Sequence, residues 1–270
     1  MENTLGLIAG RGDLPEKIIQ EYIRNNKAIF VISIDADNQP PSIKKVPHTV
    51  LNVGSVGKAI KNFRQAKVKD VVFAGGLNRP NFSSLRPDAG GIKLLAKISS
   101  AKLIGDNSLL SIVIKFFEDS GFNILGAEEI LSDLLLPKGI MGKIEPNKSA
   151  YKDIEFGITI AKAIGNLDIG QSVIVQRGVV IGVEAIEGTD ALITRCRTLL
   201  SGEPGGILVK MKKPSQDRRI DLPTIGPVTV ENAHKSGLRG IAIEAGGALV
   251  VDKNRTLQKA NELGLFIIGV

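Results

Sequence analysis

The chain has 270 residues, with 35 lysines and arginines against 28 aspartates and glutamates, for a formal net charge of +7. With 43% hydrophobic residues it is a folding chain rather than a disordered one, long enough for one large domain or two modest ones. A single cysteine, Cys196, excludes an internal disulfide and a multi-cysteine metal site, and points to a reducing, cytosolic setting.

The first half alternates between two periods. Residues 4–9 form a short apolar run ending in Gly10-Arg11-Gly12, which predicts a buried strand and a tight turn. Pro15 stands where a helix begins, and Ile18, Ile19, Tyr22 and Ile23 share one helical face. A strand is predicted over 28–34, a helix around Ala59, Ile60 and Phe63, and a strand over 70–74. Leu109, Leu110, Ile112, Val113, Phe116 and Phe117 keep a helical period up to Gly121, before a strand over 122–125. Strands alternating with helices predict a Rossmann-like α/β domain with a parallel sheet, assigned to residues 1–136.

Residues 137–149 lose this periodicity and read as a linker. Residues 150–270 are assigned to a second α/β domain. Ile154, Ile158, Ala161 and Ile164 make a helical face, and strand-like runs over 172–176 and 179–185 flank Arg177-Gly178 as a hairpin. Further strands are predicted over 206–211, 240–244, 248–251 and 265–268, with helices near 189–199, 230–236 and 256–263. The expected architecture is two α/β domains with the active site in the cleft between them.

No segment reaches the roughly 18 uninterrupted apolar residues of a membrane span, and the amino end does not read as a targeting segment. The positive balance predicts an anionic partner: nucleic acid, a phosphorylated metabolite or an anionic membrane surface. With no tryptophan, two tyrosines and no basic run interleaved with aromatics, nucleic acid is disfavoured.

Four motifs carry chemistry. Gly10-Arg11-Gly12-Asp13 follows the first strand, where backbone can approach a phosphate at a helix start; Pro15 replaces the third glycine of a dinucleotide fingerprint, and Asp35 stands where its ribose-binding acid would be. The alternative is an ordinary strand-to-helix turn. Gly75-Gly76-Leu77-Asn78-Arg79 follows another strand and offers polar contacts to a nucleotide, or leaves Arg79 a solvated charge. Asp106, Asn107 and Ser108 read as caps of the helix after them. In the second half, Asp168, Gln171, Glu184, Glu187, Thr189 and Asp190 flank the hairpin; oxygen donors without histidine or cysteine suit Mg²⁺ rather than zinc. Thr189 and Asp190 equally serve as helix caps. Finally, Lys210, Lys212, Lys213, Arg218 and Arg219 precede Asp221, a carboxylate between apolar neighbours. This pattern suits phosphoanhydride cleavage, or a solvated basic loop with a turn aspartate. His48 and His234 lack an obvious serine or cysteine partner, and Cys196 reads as core.

The segments LGLIAGRGDLP, FAGGLNRPNF, LRPDAGG, GDNSLL, LDIGQSVIV, AIEGTDALI, RRIDLPTIG, GIAIEAGGALVVD and LGLFIIGV occur in order along nearly the whole chain. In these it resembles the Mg²⁺-dependent UDP-2,3-diacylglucosamine pyrophosphatases of bacterial lipid A biosynthesis, of the two-domain type unrelated to calcineurin-like phosphoesterases. The resemblance implies hydrolysis of UDP-2,3-diacylglucosamine to UMP and 2,3-diacylglucosamine 1-phosphate, with water directed at the sugar-side phosphorus. It implies Asp221 as the essential catalytic residue. Gly10, Arg11, Gly12, Asp13, Gly75, Asn78, Arg79, Gln171, Thr189, Lys210 and Arg219 are expected to bind substrate, and Asp221, Asp190 and Glu187 to hold Mg²⁺. Arg11 stands where relatives can carry glycine. A cytoplasmic enzyme with peripheral contact at the inner membrane is expected. The competing readings are an NAD(P)-dependent oxidoreductase using Gly10, Gly12 and Asp35, and a non-catalytic nucleotide-sugar or anionic-lipid binding protein.

Overall fold

The computed structural model describes residues 3–34, 39–76, 86–100, 106–202, 205–214, 219 and 222–270. The chain divides into two compact units, Met1–Leu131 and Ser132–Val270.

Unit 1 runs β1 (Thr4–Ala9), α1 (Asp13–Arg24), β2 (Ile29–Ile34), β3 (His48–Leu51), α2 (Val56–Gln65), β4 (Val68–Ala74), α3 (Ala89–Ser100), α4 (Asp106–Asp119), β5 (Asn123–Leu125) and the short α5 (Ala127–Ile130). The five strands are parallel in the order β3-β2-β1-β4-β5, so the expected Rossmann-like sheet is present. β1 is central, and Leu7, Ala9, Val31, Val71 and Val72 are fully or almost fully buried, as a sheet covered on both faces requires. The chain leaves β1 toward β2 and leaves β4 toward β5. The carboxyl ends of β1 and β4 therefore form the topological switch point of the sheet, where open α/β folds place their ligands.

Sequence periodicity missed β3 and α3 for different reasons. β3 is a four-residue edge strand with no fully buried residue, so its pattern carries little apolar signal. α3 opens Ala89-Gly90-Gly91, which contradicts helix propensity. The glycines are needed because α3 packs backbone to backbone on α2: a Cβ at Gly90 would lie 2.5 Å from the Gly57 nitrogen, and one at Gly91 2.2 Å from the Gly54 oxygen. Asp88 joins the two helix starts. Its carboxylate accepts from Gly91 N (2.8 Å) in α3 and from Gly57 N (3.0 Å) and Lys58 N (2.8 Å) in α2.

Burial by itself raises the Asp88 pKa, but the backbone N–H bonds from Gly91, Gly57, Lys58 and Gly90 outweigh it and hold the carboxyl below its ordinary value. A lowered folded pKa contributes stability that is complete above the unfolded value and is lost as pH falls through the folded one. The resistance of the wild type to urea is therefore expected to fall as pH drops below about 4. Asp88→Asn is expected to be less stable at pH 7 and to show a shallower acid dependence. Equal acid slopes in the two proteins would remove Asp88 from the clamp.

Unit 2 runs β6 (Gly139–Met141), α6 (Lys148–Asn166), β7 (Ser172–Gln176), β8 (Val179–Val183), α7 (Thr189–Cys196), β9 (Gly206–Lys210), β10 (Thr224–Ile225), α8 (Pro227–Lys235), β11 (Leu238–Ile243), β12 (Leu249–Val250), α9 (Lys253–Glu262) and β13 (Phe266–Gly269). Its main sheet has the order β6-β13-β11-β9-β7-β8, in which β13, β11 and β9 are parallel and β6, β7 and β8 pair antiparallel; β10 and β12 form a separate parallel pair. Residues 137–149, expected as a linker, include β6, which pairs with β13 through Met141, Ile140 and Gly139. Three residues with glycine at the front are too short for a period-2 pattern to register.

Alternation along each strand sorts the core into two layers. Val173, Val175, Ile207, Val209, Ala242, Phe266 and Ile268 pack with Ala150, Ile154 and Ala161 of α6. Ile174, Leu208, Ile241, Ile243 and Ile267 pack with α7, α8 and α9 through Leu192, Val230 and Ala260. Cys196 belongs to this second layer; it is buried, and burial pushes its thiol pKa up, which suits core rather than nucleophile. The β7–β8 hairpin turns at Arg177-Gly178, both at positive φ (51° and 74°), as a tight primed turn requires.

Candidate active site

The two glycine turns of unit 1 meet at the switch point, and they are bonded to each other. Gly10 N donates to Ala74 O (2.8 Å), Arg11 N to Gly76 O (2.8 Å) and Gly76 N to Arg11 O (2.9 Å). Glycine is needed for this approach: a Cβ at Gly10 would stand 2.6 Å from the Gly76 oxygen, and Gly75, at φ 88°, has the Arg11 oxygen 2.5 Å from any Cβ. The N–H groups of Gly10 and Arg11, which the dinucleotide reading would aim at a phosphate, are thus engaged within the protein. Gly12 (φ 100°) and Asp13 are exposed at the start of α1, where helix N–H groups remain without intrahelical partners. Asn78, Arg79 and Asp35 lie outside the described residues, as do the side chains of Asp106, Asn107 and Ser108. A cavity of about 780 Å³ in this unit opens at the amino ends of the strands, between Tyr22, Phe30, Pro47 and Gln65, at the opposite edge from the glycine turns.

In unit 2 the sequence candidates converge more closely. Ser172 and Lys210 are register partners across β7 and β9, two residues beyond Ile174 and Leu208 on the face that meets α7. The side chain of Lys210 is buried (6% exposed) and reaches the first residue of α7: its Nζ donates to Thr189 Oγ1 (3.0 Å) and to the Thr224 carbonyl (3.1 Å). Thr189 Oγ1 in turn donates to Glu184 Oε1 (2.8 Å), and Ser172 Oγ lies 3.3 Å from it. The other Glu184 oxygen accepts from Gln171 N (3.2 Å). Gln171 Oε1 is buried with no hydrogen-bond partner among the described residues. The loop before β7 is shaped for this approach. Asp168 sits at φ 55° and pairs with Lys213 at 2.8 Å, and a Cβ at Gly170 would fall 2.0 Å from the Glu184 oxygen.

The parallel strands β9 and β11 end at this cluster, with Glu244 N donating to Lys210 O (3.2 Å) and Glu244 Oε2 accepting from Lys212 N (2.8 Å). A buried ammonium beside the amino end of a helix makes an electropositive corner at the carboxyl edge of a parallel sheet.

Comparison with known proteins places the chain in a family. Residues 4–134 match the LpxI N-terminal domain, and residues 137–268 match the LpxI C-terminal domain. The chain belongs to the LpxI family. Over 272 residues, covering 98% of this chain and 97% of the relative, it is 41% identical to the UDP-2,3-diacylglucosamine pyrophosphatase LpxI of Caulobacter vibrioides. Among solved structures, CobK precorrin-6A reductase shares 10% identity over 98% of this chain and 86% of its own, with a TM-score of 0.34. Isoflavone reductase shares 9% over 100% and 78%, with a TM-score of 0.29. Neither likeness carries an argument.

In the motifs LDIGQS and AIEGTD, Gln171 N bonds Glu184 and Thr189 accepts from Lys210. RRIDLPTIG supplies Thr224, whose carbonyl holds Lys210, three positions after Asp221; Asp221 itself lies outside the described residues. Arg219 is half-buried. Asp190 is exposed on the first turn of α7, where Asn232 donates to its Oδ1 (3.3 Å). Glu187 faces elsewhere: its carboxylate takes the Arg195 guanidinium at 2.9 Å and Ala185 N at 3.1 Å. Its side-chain pKa is held low by backbone hydrogen bonding, against the smaller opposing effect of burial and with help from Arg195. No group of three or more histidine, cysteine, aspartate or glutamate side chains able to hold a metal occurs among the described residues.

The donors present still suit Mg²⁺, a hard ion that takes one or two carboxylates and completes its shell with water and substrate phosphate. Among the described residues, Gln171 Oε1 is a buried neutral oxygen without a hydrogen-bond partner, a donor of the kind such an ion takes. Sequence reasoning placed Glu184 among the oxygen donors flanking the hairpin but gave it no individual role. It follows directly on the apolar run of β8, and the structure buries it to 5% exposure.

Proposed function

We propose that the chain hydrolyses the pyrophosphate of UDP-2,3-diacylglucosamine, releasing UMP and 2,3-diacylglucosamine 1-phosphate, with Mg²⁺ as cofactor. The observation that carries this reading is the end-to-end identity of 41% with a pyrophosphatase of that name. The site chemistry supports it. A pyrophosphate places several negative charges in one small volume, and Lys210, with the amino end of α7, offers fixed positive charge where water is largely excluded. Fixed donors of this kind need not reorganise as charge develops on the phosphoryl oxygens, so they stabilise the transition state more than mobile water would. Gln171 orients substrate oxygens, and Thr189 holds the Lys210 ammonium that meets them. Asp221 directs a water at the sugar-side phosphorus, and Arg219 adds charge for the leaving nucleotide. When bound, Mg²⁺ supplies charge neutralisation on the bridging phosphates.

No described helix is long and apolar enough to cross a membrane. The +7 excess favours approach to an anionic inner-membrane surface, where a diacylated substrate would reside.

The test is a UMP-release assay with UDP-2,3-diacylglucosamine in Mg²⁺, with chelator, and with Asp221→Ala. Asp221→Ala is expected to lower turnover by on the order of 10³-fold while substrate binding persists. In ¹⁸O-water the label is expected in the sugar phosphate. Label in UMP would overturn the assigned point of attack, and near-normal turnover by Asp221→Ala would remove its catalytic role.

A further inference from the structure

The cluster at Lys210 contains a carboxylate with no assigned role, and the chemistry of its neighbours fixes every hydrogen-bond direction. An ammonium can only donate and an ionised carboxylate can only accept, while a hydroxyl has one proton and two acceptor sites. Thr189 Oγ1 must therefore accept from Lys210 Nζ (3.0 Å) and give its single proton to Glu184 Oε1 (2.8 Å). Its remaining acceptor site faces Ser172 Oγ (3.3 Å). The hydroxyl is saturated and has one orientation. Glu184 is itself pinned through its second oxygen by Gln171 N, and Gly170 lacks a side chain because the Glu184 backbone closes over it.

We infer that Glu184 is a positioning residue of the reaction, acting through the Thr189 hydroxyl to fix the Lys210 ammonium beside the amino end of α7. The inference rests on the pyrophosphatase reading. Its physical reason is the electrostatics of the corner. A buried cation next to a helix amino end is repelled by the dipole, and without an opposing charge it would swing toward solvent. Glu184 supplies an opposing charge at one hydroxyl's remove rather than in direct contact. Direct pairing of Glu184 with Lys210 would instead neutralise the cation that the substrate needs. The interposed Thr189 keeps the two charges coupled but apart.

The experiment uses Glu184→Gln, which keeps volume but removes charge, with Thr189→Val and Thr189→Ser. Glu184→Gln and Thr189→Val are each expected to lower kcat by about 10- to 100-fold, the loss typical of partners that orient working groups of a site. KM should change less than twofold. If Glu184 acts through Thr189, the double variant should fall no further than either single one. Thr189→Ser, which retains the hydroxyl, should keep most of the activity.

A second readout needs no turnover: the ¹⁵N-lysine side-chain signal of Lys210, assigned by its absence in Lys210→Gln. Hydrogen bonding should keep this ammonium signal visible in the wild type and in Thr189→Ser, and Glu184→Gln should broaden it into solvent exchange. Wild-type kcat in Glu184→Gln, multiplicative losses in the double variant, or an unchanged ammonium signal would each overturn the inference. A wild type that releases no UMP would instead overturn the pyrophosphatase reading and the catalytic half of this inference, while the ammonium signal still decides whether Glu184 holds Lys210.

Discussion

Lys210→Gln is expected to reduce kcat for UMP release by about 10²- to 10³-fold, roughly 3–4 kcal/mol of transition-state stabilisation. Glutamine is one side-chain atom shorter but retains an amide donor directed at Thr189 Oγ1 and the Thr224 carbonyl. What the substitution removes is the charge. The loss should therefore appear in kcat, with the urea midpoint of the full chain little changed. Lys210→Arg is the instructive companion, since it keeps the charge but carries a larger planar head into a buried slot fitted to an ammonium. A partial loss, smaller than that of Lys210→Gln, is expected. Wild-type turnover in Lys210→Gln would exclude this side chain from stabilising charge at the phosphates.

Asp153→Ala is expected to destabilise unit 2 by about 3–5 kcal/mol, read as a shift of its urea midpoint. Asp153 lies on α6 and is 3% exposed, yet its carboxylate accepts three bonds: from Gly178 N at 2.7 Å, Arg177 N at 3.2 Å and Arg239 Nη2 at 2.9 Å. It thereby fastens the turn between β7 and β8 and the start of β11 to one helix. Arg239 also donates to Asn147 Oδ1 and Ser149 Oγ at the start of α6, each at 3.2 Å. Removing the carboxylate leaves a largely buried guanidinium and two turn N–H groups without their acceptor, and that desolvation is the main cost. Asp153→Asn should lose less, since an amide oxygen still accepts from one partner. The cluster stands at the β7–β8 turn, away from the Ser172 end of β7 where Lys210 lies, so the surviving folded fraction should retain near-normal KM. A midpoint shift below about 1 kcal/mol would show that the turn holds itself.

Both predictions concern residues that period and motif treat very differently. The parallel sheet of unit 1 was legible because strands buried on both faces read as continuous apolar runs, as in residues 4–9 and 70–74. The hairpin of unit 2 was legible from Arg177-Gly178 between two apolar runs. The edge strand β3 and the glycine-led α3 were not, because their formation depends on neighbours: pairing with β2 in one case, and contact with Gly54 and Gly57 in the other. Gln171, Thr189 and Lys210 could be named as polar groups in informative settings. Their meeting could not be read from spacing, since it depends on the register that sets Ser172 opposite Lys210.

By itself the sequence determined the α/β class, the family, and the chemistry available: a basic excess, oxygen donors without a histidine or cysteine cluster, and one cysteine. The class and the chemistry follow from composition and local period, and the family from its motifs in order, none of which depends on where distant segments meet. The tertiary structure decided which of those groups face one another. It closed the two glycine turns on each other's backbone, committed Glu187 to Arg195, and drew the unassigned Glu184 into line with Thr189 and Lys210. The physical reason is that a buried charge needs a partner, and strand register, not spacing along the chain, determines which one comes within reach.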